Sequence, residues 1–310
     1  MPAATDHRVG SDPAEITLLR SSVRESLATL FPGCPDDGWA QSWPQSWDAL
    51  RDQGLWSAIE PPDGSLAMAV VVAAELGRAL YPGPGCDALA ATCLTTEHDS
   101  AILVVAHDPA VRVPEHTTLL IADESGLTSV RAGDAHVEEL SALDVTRDWV
   151  RYSIAGDQVA DVERTDRALA VRALLYCADT LGSVQQVLDR TVEYAKQRTT
   201  FGAPIGKYQA VAHRLVDHEV MVRQLRLTLA AAVAALDSES ADWRVPVTVA
   251  QTLFWGRGAE IISDCIQLCG GIGFTWEWGH HFHLRRVVAN DAIACGPGRP
   301  HHRLAEEMGW

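Results

Sequence analysis

Arg198-Thr199-Thr200-Phe201-Gly202-Ala203-Pro204-Ile205 parts two long apolar-periodic segments, and its reading decides the fold. Upstream, over about 166–197, Leu174, Cys177, Leu181, Val184, Leu188, Val192 and Ala195 recur at the spacing of a helix with one buried face. Downstream, over about 208–236, Val211, Leu215, Val222, Leu225, Leu229, Val233 and Leu236 keep the same period. Gly202 and Pro204 break the chain between them, so the stretch is a corner joining two helices. Arg198 closes the first helix, where a cation suits the negative end of the helix dipole. Local physics alone favours that charge complement over a binding role.

A second stretch, Gln267-Leu268-Cys269-Gly270-Gly271-Ile272-Gly273-Phe274-Thr275-Trp276-Glu277, ends a further helix. Its paired glycines let the helix stop in a left-handed turn or let a backbone approach another group closely. The two motifs in this order, preceded by Glu75-Leu76-Gly77-Arg78-Ala79-Leu80, resemble the acyl-CoA dehydrogenase family. The resemblance is clear from Ala168 to Arg286 and looser towards the N-terminus.

The chain has 310 residues, 47% of them hydrophobic, enough for two or three packed units. A net charge of −16 argues against a nucleic-acid surface, which needs clustered Lys and Arg. No apolar run is long enough to span a bilayer and no leader is evident, so a cytoplasmic protein is expected. The seven scattered cysteines, with no CxxC pair, read as buried, reduced thiols.

The expected fold is mainly α with a small β unit. Residues 1–12 form a disordered tail, 13–99 an N-terminal helical domain, 100–160 a reduced β domain, and 161–310 a C-terminal four-helix bundle. The first helix starts near Asp12-Pro13 and carries Leu18, Leu19, Val23, Leu27 and Leu30. Trp39, Trp43 and Trp47, at four-residue steps, read as core. Four short β-rich runs, 101–106, 118–122, 127–130 and 149–154, indicate four or five strands. After one more helix over 278–293, the sequence predicts only a short polar tail.

The family oxidises an acyl-CoA thioester between Cα and Cβ: a glutamate removes the α-proton and FAD accepts the hydride. The resemblance implies that Arg198, Thr200, Phe201 and Gln209 hold FAD, with Arg198 on the pyrophosphate. It implies that Gln267, Gly270 and Gly271 lie against the adenosine portion. In the family these residues serve the flavin of the neighbouring subunit. The segment that would serve the chain's own flavin is reduced to Thr96-Glu97-His98-Asp99-Ser100, and the family's flavin-facing aromatic strand has no counterpart. The two family positions for the base fall at Arg172 and at Ala294-Cys295-Gly296, and neither offers a carboxylate.

The resemblance therefore points to the shorter, base-lacking subunit of α2β2 acyl-CoA dehydrogenases of the actinobacterial steroid side-chain type. No residue of this chain is assigned as catalytic. The implied partners are a second subunit carrying the catalytic glutamate, a bulky acyl-CoA, and an electron acceptor such as electron-transfer flavoprotein. Two other readings stand beside it. One is a self-sufficient homodimeric flavoenzyme using Asp291, Glu277 or Asp179 as base. The other is a pseudo-enzyme that binds an acyl-CoA or a protein without redox chemistry. His280, His281 and His283 lack metal-ligand spacing and read as solvated or helix-capping side chains, so no metal is expected.

Overall fold

The computed structural model describes residues 13–60, 64–94, 101–123, 126–153, 162–238, 242–295 and 300–310. The tail at 1–12, the segment Thr96–Ser100 and the domain boundaries expected near 99 and 160 lie outside them.

The chain opens with helices α1 (Pro13–Leu30), α2 (Pro44–Asp52), α3 (Leu66–Arg78) and α4 (Gly85–Ala91). Pro44 sits at the first position of α2, where its missing N–H costs nothing. Ser65 caps α3 by accepting a hydrogen bond from the Met68 N–H at 3.3 Å. Val23 and Leu27 bury the inner face of α1, but Leu18 is 73% exposed, so the buried stripe is narrower than the sequence pattern. The tryptophans are core: Trp39, Trp43 and Trp56 are buried, and Trp47 stacks on Trp56 with ring centroids 4.4 Å apart.

Six strands follow, where the sequence indicates four or five: β1 (Ala101–Val105), β2 (Pro109–Val111), β3 (Thr118–Asp123), β4 (Gly126–Arg131), β5 (His136–Glu139) and β6 (Trp149–Ser153). They form two three-stranded sheets, ordered β1-β3-β4 and β2-β6-β5, with β1 and β3 parallel and the other pairs antiparallel. Trp149, at the start of β6, is buried with its ring 5.7 Å from the Arg147 guanidinium carbon, a core position.

The remaining helices are α5 (Val162–Gln197), α6 (Gln209–Asp237), α7 (Arg244–Phe254), α8 (Arg257–Cys269), α9 (His280–Cys295) and α10 (Pro300–Glu307). The predicted polar tail is thus a helix, α10, docked on α7 through polar contacts: Thr248 donates to Glu307 at 2.9 Å and Arg303 to Gln251 at 3.1 Å. At 36 residues α5 is the spine, packing against α3, α4, α6, α7, α8 and α9. Its approach to α3 rests on two glycines. A Cβ at Gly77 would collide with the Asp179 carbonyl, and one at Gly182 with the Ala74 carbonyl.

A buried polar hub ties the three regions together. Asp179 on α5 accepts from Arg147 at 2.8 Å and from Asn290 on α9 at 2.6 Å. Arg286, also on α9, donates to Asp144 at 3.1 Å and to the Tyr81 carbonyl at 3.1 Å. Each of these charged side chains is 4% exposed or less, so each needs the others to offset its desolvation.

Candidate functional site

The corner after α5 is tighter than a plain loop. Thr199-Thr200 (β7) pairs antiparallel with Ala203-Pro204 (β8), and Phe201 (φ 50°) and Gly202 (φ 81°) make the turn in the left-handed region. That conformation suits glycine and strains phenylalanine. Phe201 is nevertheless 100% exposed, with no contact in this chain to offset the strain. The Arg198 N–H bonds the Tyr194 carbonyl and its own carbonyl accepts from Ile205, both at 2.8 Å, so the backbone is pinned while the guanidinium stands in solvent. Among the described residues no carboxylate pairs with it. The Thr200 carbonyl accepts from the Tyr208 hydroxyl at 2.7 Å, and exposed Gln209 begins α6.

The glycine motif reaches the same end of the bundle. Asp264, one turn before Gln267 on α8, is gripped from α6 by Arg214 (2.9 Å from Nε) and by His218 (2.6 Å). Tyr194 of α5 packs edge-on against Trp278 at 5.4 Å. Gln267 and Gly271 are exposed. Gly270 adopts φ 67°, ψ −143°, and nothing lies within 4 Å of a Cβ built on Gly270 or Gly271. The seven residues thus share one outward-facing end of the helical bundle, with bare backbone, one free cation and one free aromatic ring.

The two expected base positions come together elsewhere. Arg172 and Ala294 line a single cavity of about 360 Å³ between β1, α5, α7, α9 and α10. Arg172 is buried and donates from Nε to Asp87 at 2.7 Å, while Tyr176 donates to the other Asp87 oxygen at 2.8 Å. Arg172, one of the two positions expected from the resemblance for a base, is thus a cation held by an acid behind it. Of the carboxylates lining this cavity, Asp166 pairs with Arg244 at 3.0 Å and Glu307 accepts from Thr248. Asp108 is the third; burial raises its pKa, partly offset by Arg172.

Sequence reasoning missed both Asp87 and Asp108. Asp87 left a signal: it is the one polar side chain in the short helix Gly85–Ala91, and an acid there needs a buried cation. Asp108 left none. Of the alternative bases, Asp179 is held in the buried hub. Asp291 accepts the Gly256 N–H at 2.9 Å, and burial raises its pKa to about 6. Glu277 is exposed at the opposite end of α9 from Ala294. The histidines correct the solvated reading: His280 and His283 are 0% and 5% exposed. Among the described residues no cluster of His, Cys, Asp or Glu converges on a metal-sized site. All seven cysteines are free thiols, and no described helix is long and apolar enough to cross a membrane.

Residues 162–297, which carry both motifs, match the family model described as acyl-CoA dehydrogenase, C-terminal domain. Three proteins of Mycobacterium tuberculosis are similar over most of this chain. Acyl-CoA dehydrogenase FadE34 is 30% identical over 85% of it, but the chain spans only 42% of that relative's length. Acyl-CoA dehydrogenase IpdE2 is 29% identical over 96% of the chain and 98% of its own length. Acyl-CoA dehydrogenase FadE27 is 32% identical over 97% of the chain and 78% of its own length. Among solved structures, the Tcur3481-Tcur3483 steroid ACAD G363A variant superposes with a TM-score of 0.79 at 20% identity, covering 96% of this chain and 98% of that one. The ChsE4-ChsE5 complex of Mycobacterium tuberculosis gives 0.77 at 20% identity, over 96% and 98%. At that identity these structures speak to the fold. The FadE27 match spans nearly the whole sequence, and the family model spans the end of the bundle where the two motifs meet; the chain belongs to the acyl-CoA dehydrogenase family.

Proposed function

We propose that this chain is a subunit of a flavin-dependent acyl-CoA dehydrogenase, lending FAD-binding residues to a partner that supplies the catalytic glutamate. The observation that carries the reading is the Arg172–Asp87 pair in the cavity shared with Ala294. A guanidinium held at 2.7 Å from its own carboxylate cannot accept a proton. FAD, when bound, supplies the electron sink for the oxidation.

The residues at the end of the bundle fit a flavin nucleotide presented by another chain. Arg198 has an exposed fork for phosphate oxygens that pairs with no carboxylate among the described residues. The open space above Gly270 and Gly271 admits a flat group against bare backbone. Thr200, Gln209 and Gln267 stand around that surface with polar side chains, and Phe201 offers a ring with nothing of its own chain against it.

Solved structures of the same fold that pair two named chains support the hetero-oligomeric reading. One of them is a steroid ACAD, which supports a bulky acyl-CoA as the substrate class. The electron acceptor in this reading is a flavoprotein of the electron-transferring type, and the assembly is cytoplasmic.

The test is a spectrum. The chain is purified alone and after co-expression with the product of the adjacent gene. The lone chain is expected to be colourless, and the co-purified complex yellow and bleached by an acyl-CoA. A lone chain that is yellow and bleaches would reject the partner-base reading and favour a homodimer using Asp108. A colourless pair would favour binding without redox chemistry.

A further inference from the structure

A second cavity, of about 230 Å³, lies between α1, α3, α5 and the start of α9. A water's share of liquid volume is about 30 Å³, so the space holds several waters, or a tetrahedral anion with part of a substituent. Its charge is unlike that of the rest of the chain. Arg24, Arg78 and Arg190 line it against a single carboxylate, Glu75, in a protein of net charge −16.

The partners of these groups are unevenly shared. Glu75 is already neutralised by Arg24, which donates from Nε and Nη2 at 2.8 and 2.7 Å. Arg78 reaches out of the cavity to Asp189 at 3.0 Å. Arg190 rests on the Trp278 ring at 4.8 Å, and no carboxylate among the described residues pairs with it. His283, 5% exposed, also lines the cavity, and its Nδ1 has no hydrogen-bond partner. Gly279, another lining residue, precedes α9 and has no side chain to cap its positive end. An arginine with no acid among the described residues and a second one that lines the same space meet beside a buried imidazole.

We infer that this cavity is a binding site for a phosphate group, held by Arg78 and Arg190 beside the His283 imidazole. The arginines supply charge and donors to the phosphate oxygens, and the neutral His283 imidazole forms the buried wall beside them. The group comes either as inorganic phosphate or as the monoester of a nucleotide. The inference stands apart from the flavin reading, which rests on the exposed corner at Arg198.

Titration calorimetry on the full chain at low ionic strength, with inorganic phosphate and separately with adenosine 5′-monophosphate, tests it. Saturable one-to-one binding of at least one probe is expected. Arg190→Gln, which removes a side chain with no ion pair to lose, should weaken it about tenfold or more. The His283 ring nitrogen resonances should move on saturation. Tighter binding of inorganic phosphate identifies an enclosed free anion, and tighter binding of the nucleotide identifies an ester. Arg198→Ala should leave the affinity unchanged. Absence of saturable binding by either probe, equal binding by Arg190→Gln and Arg78→Gln, or loss of binding in Arg198→Ala would overturn the assignment.

Discussion

Asp179 shows how a residue can look catalytic in sequence and be structural in place. It lies in α5 two turns beyond Arg172, but both its oxygens are taken and it is fully buried. Asp179→Ala strands the buried Arg147 guanidinium without its acid, whereas Arg286 keeps Asp144, so it should destabilise the chain by about 3–5 kcal/mol in denaturant unfolding. The histidines set a pH dependence. Burial, reinforced by Arg190, lowers the His280 pKa to about 3, and burial with His280 and three arginines holds that of His283 well below its ordinary value. Both therefore fold in the neutral form, while the unfolded chain takes up protons from about pH 6.5 downward. Their contribution is complete above that pH and is lost as pH falls towards 3. Unfolding midpoints between pH 7 and 4 should drop, and His280→Gln should flatten the slope by up to one proton. The Arg172–Asp87 pair was out of reach of sequence reasoning because its members, 85 residues apart, meet only through the packing of α4 on α5. What the sequence did expose was the lack of a carboxylate at Arg172 and at Ala294-Cys295-Gly296, the positions where the resemblance expects the base.

At the scale of elements, the long helices were legible because a buried stripe repeats over many turns. Every residue of the α5 stripe from Leu174 to Leu188 is buried, as are Leu215, Val222, Leu225, Leu229, Val233 and Leu236 of α6. Strands β2 and β5, of three and four residues, are too short for alternation to register, and pairing with β6 creates them. Helix α10 carries no apolar stripe, and contacts from α7 hold it. The glycine motif was legible as a helix stop, whereas Gly77 and Gly182 were not legible as packing glycines, since nothing local says which helix comes near. Gly182→Ala should force α3 and α5 apart and destabilise by about 1–3 kcal/mol, read as a lowered unfolding midpoint with helix content unchanged at low temperature.

For the whole molecule, the question is what covers its outer surface. Phe201, Val216, Val220, Leu227, Phe274 and Trp276 are each 49% exposed or more, all on or beside the elements that carry the corner and the glycine motif. Monomers seldom leave such a set bare, which agrees with a chain that functions against another. Arg198→Ala should lower FAD occupancy of the assembled complex about tenfold or more, with assembly unaffected, through loss of a charge-assisted phosphate contact. Absorbance at saturating protein, compared with subunit stoichiometry, measures this. The exposed corner was the most legible part of the candidate site because its chemistry lies in one continuous stretch. The cavity at Arg172 and Ala294 was the least legible, because distant segments assemble it.

The polar hub has a further consequence, for the order in which the fold is completed during synthesis. Asp144, Arg147 and Asp179 leave the ribosome well before Arg286 and Asn290. Until α9 arrives, Asp144 and Asp179 lack the Arg286 and Asn290 donors that complete their bonding. Helices α1 to α4 can settle as they emerge, but their clasp to the rest closes only when α9 docks, so the last wetted interior to dry is the one where all three regions meet.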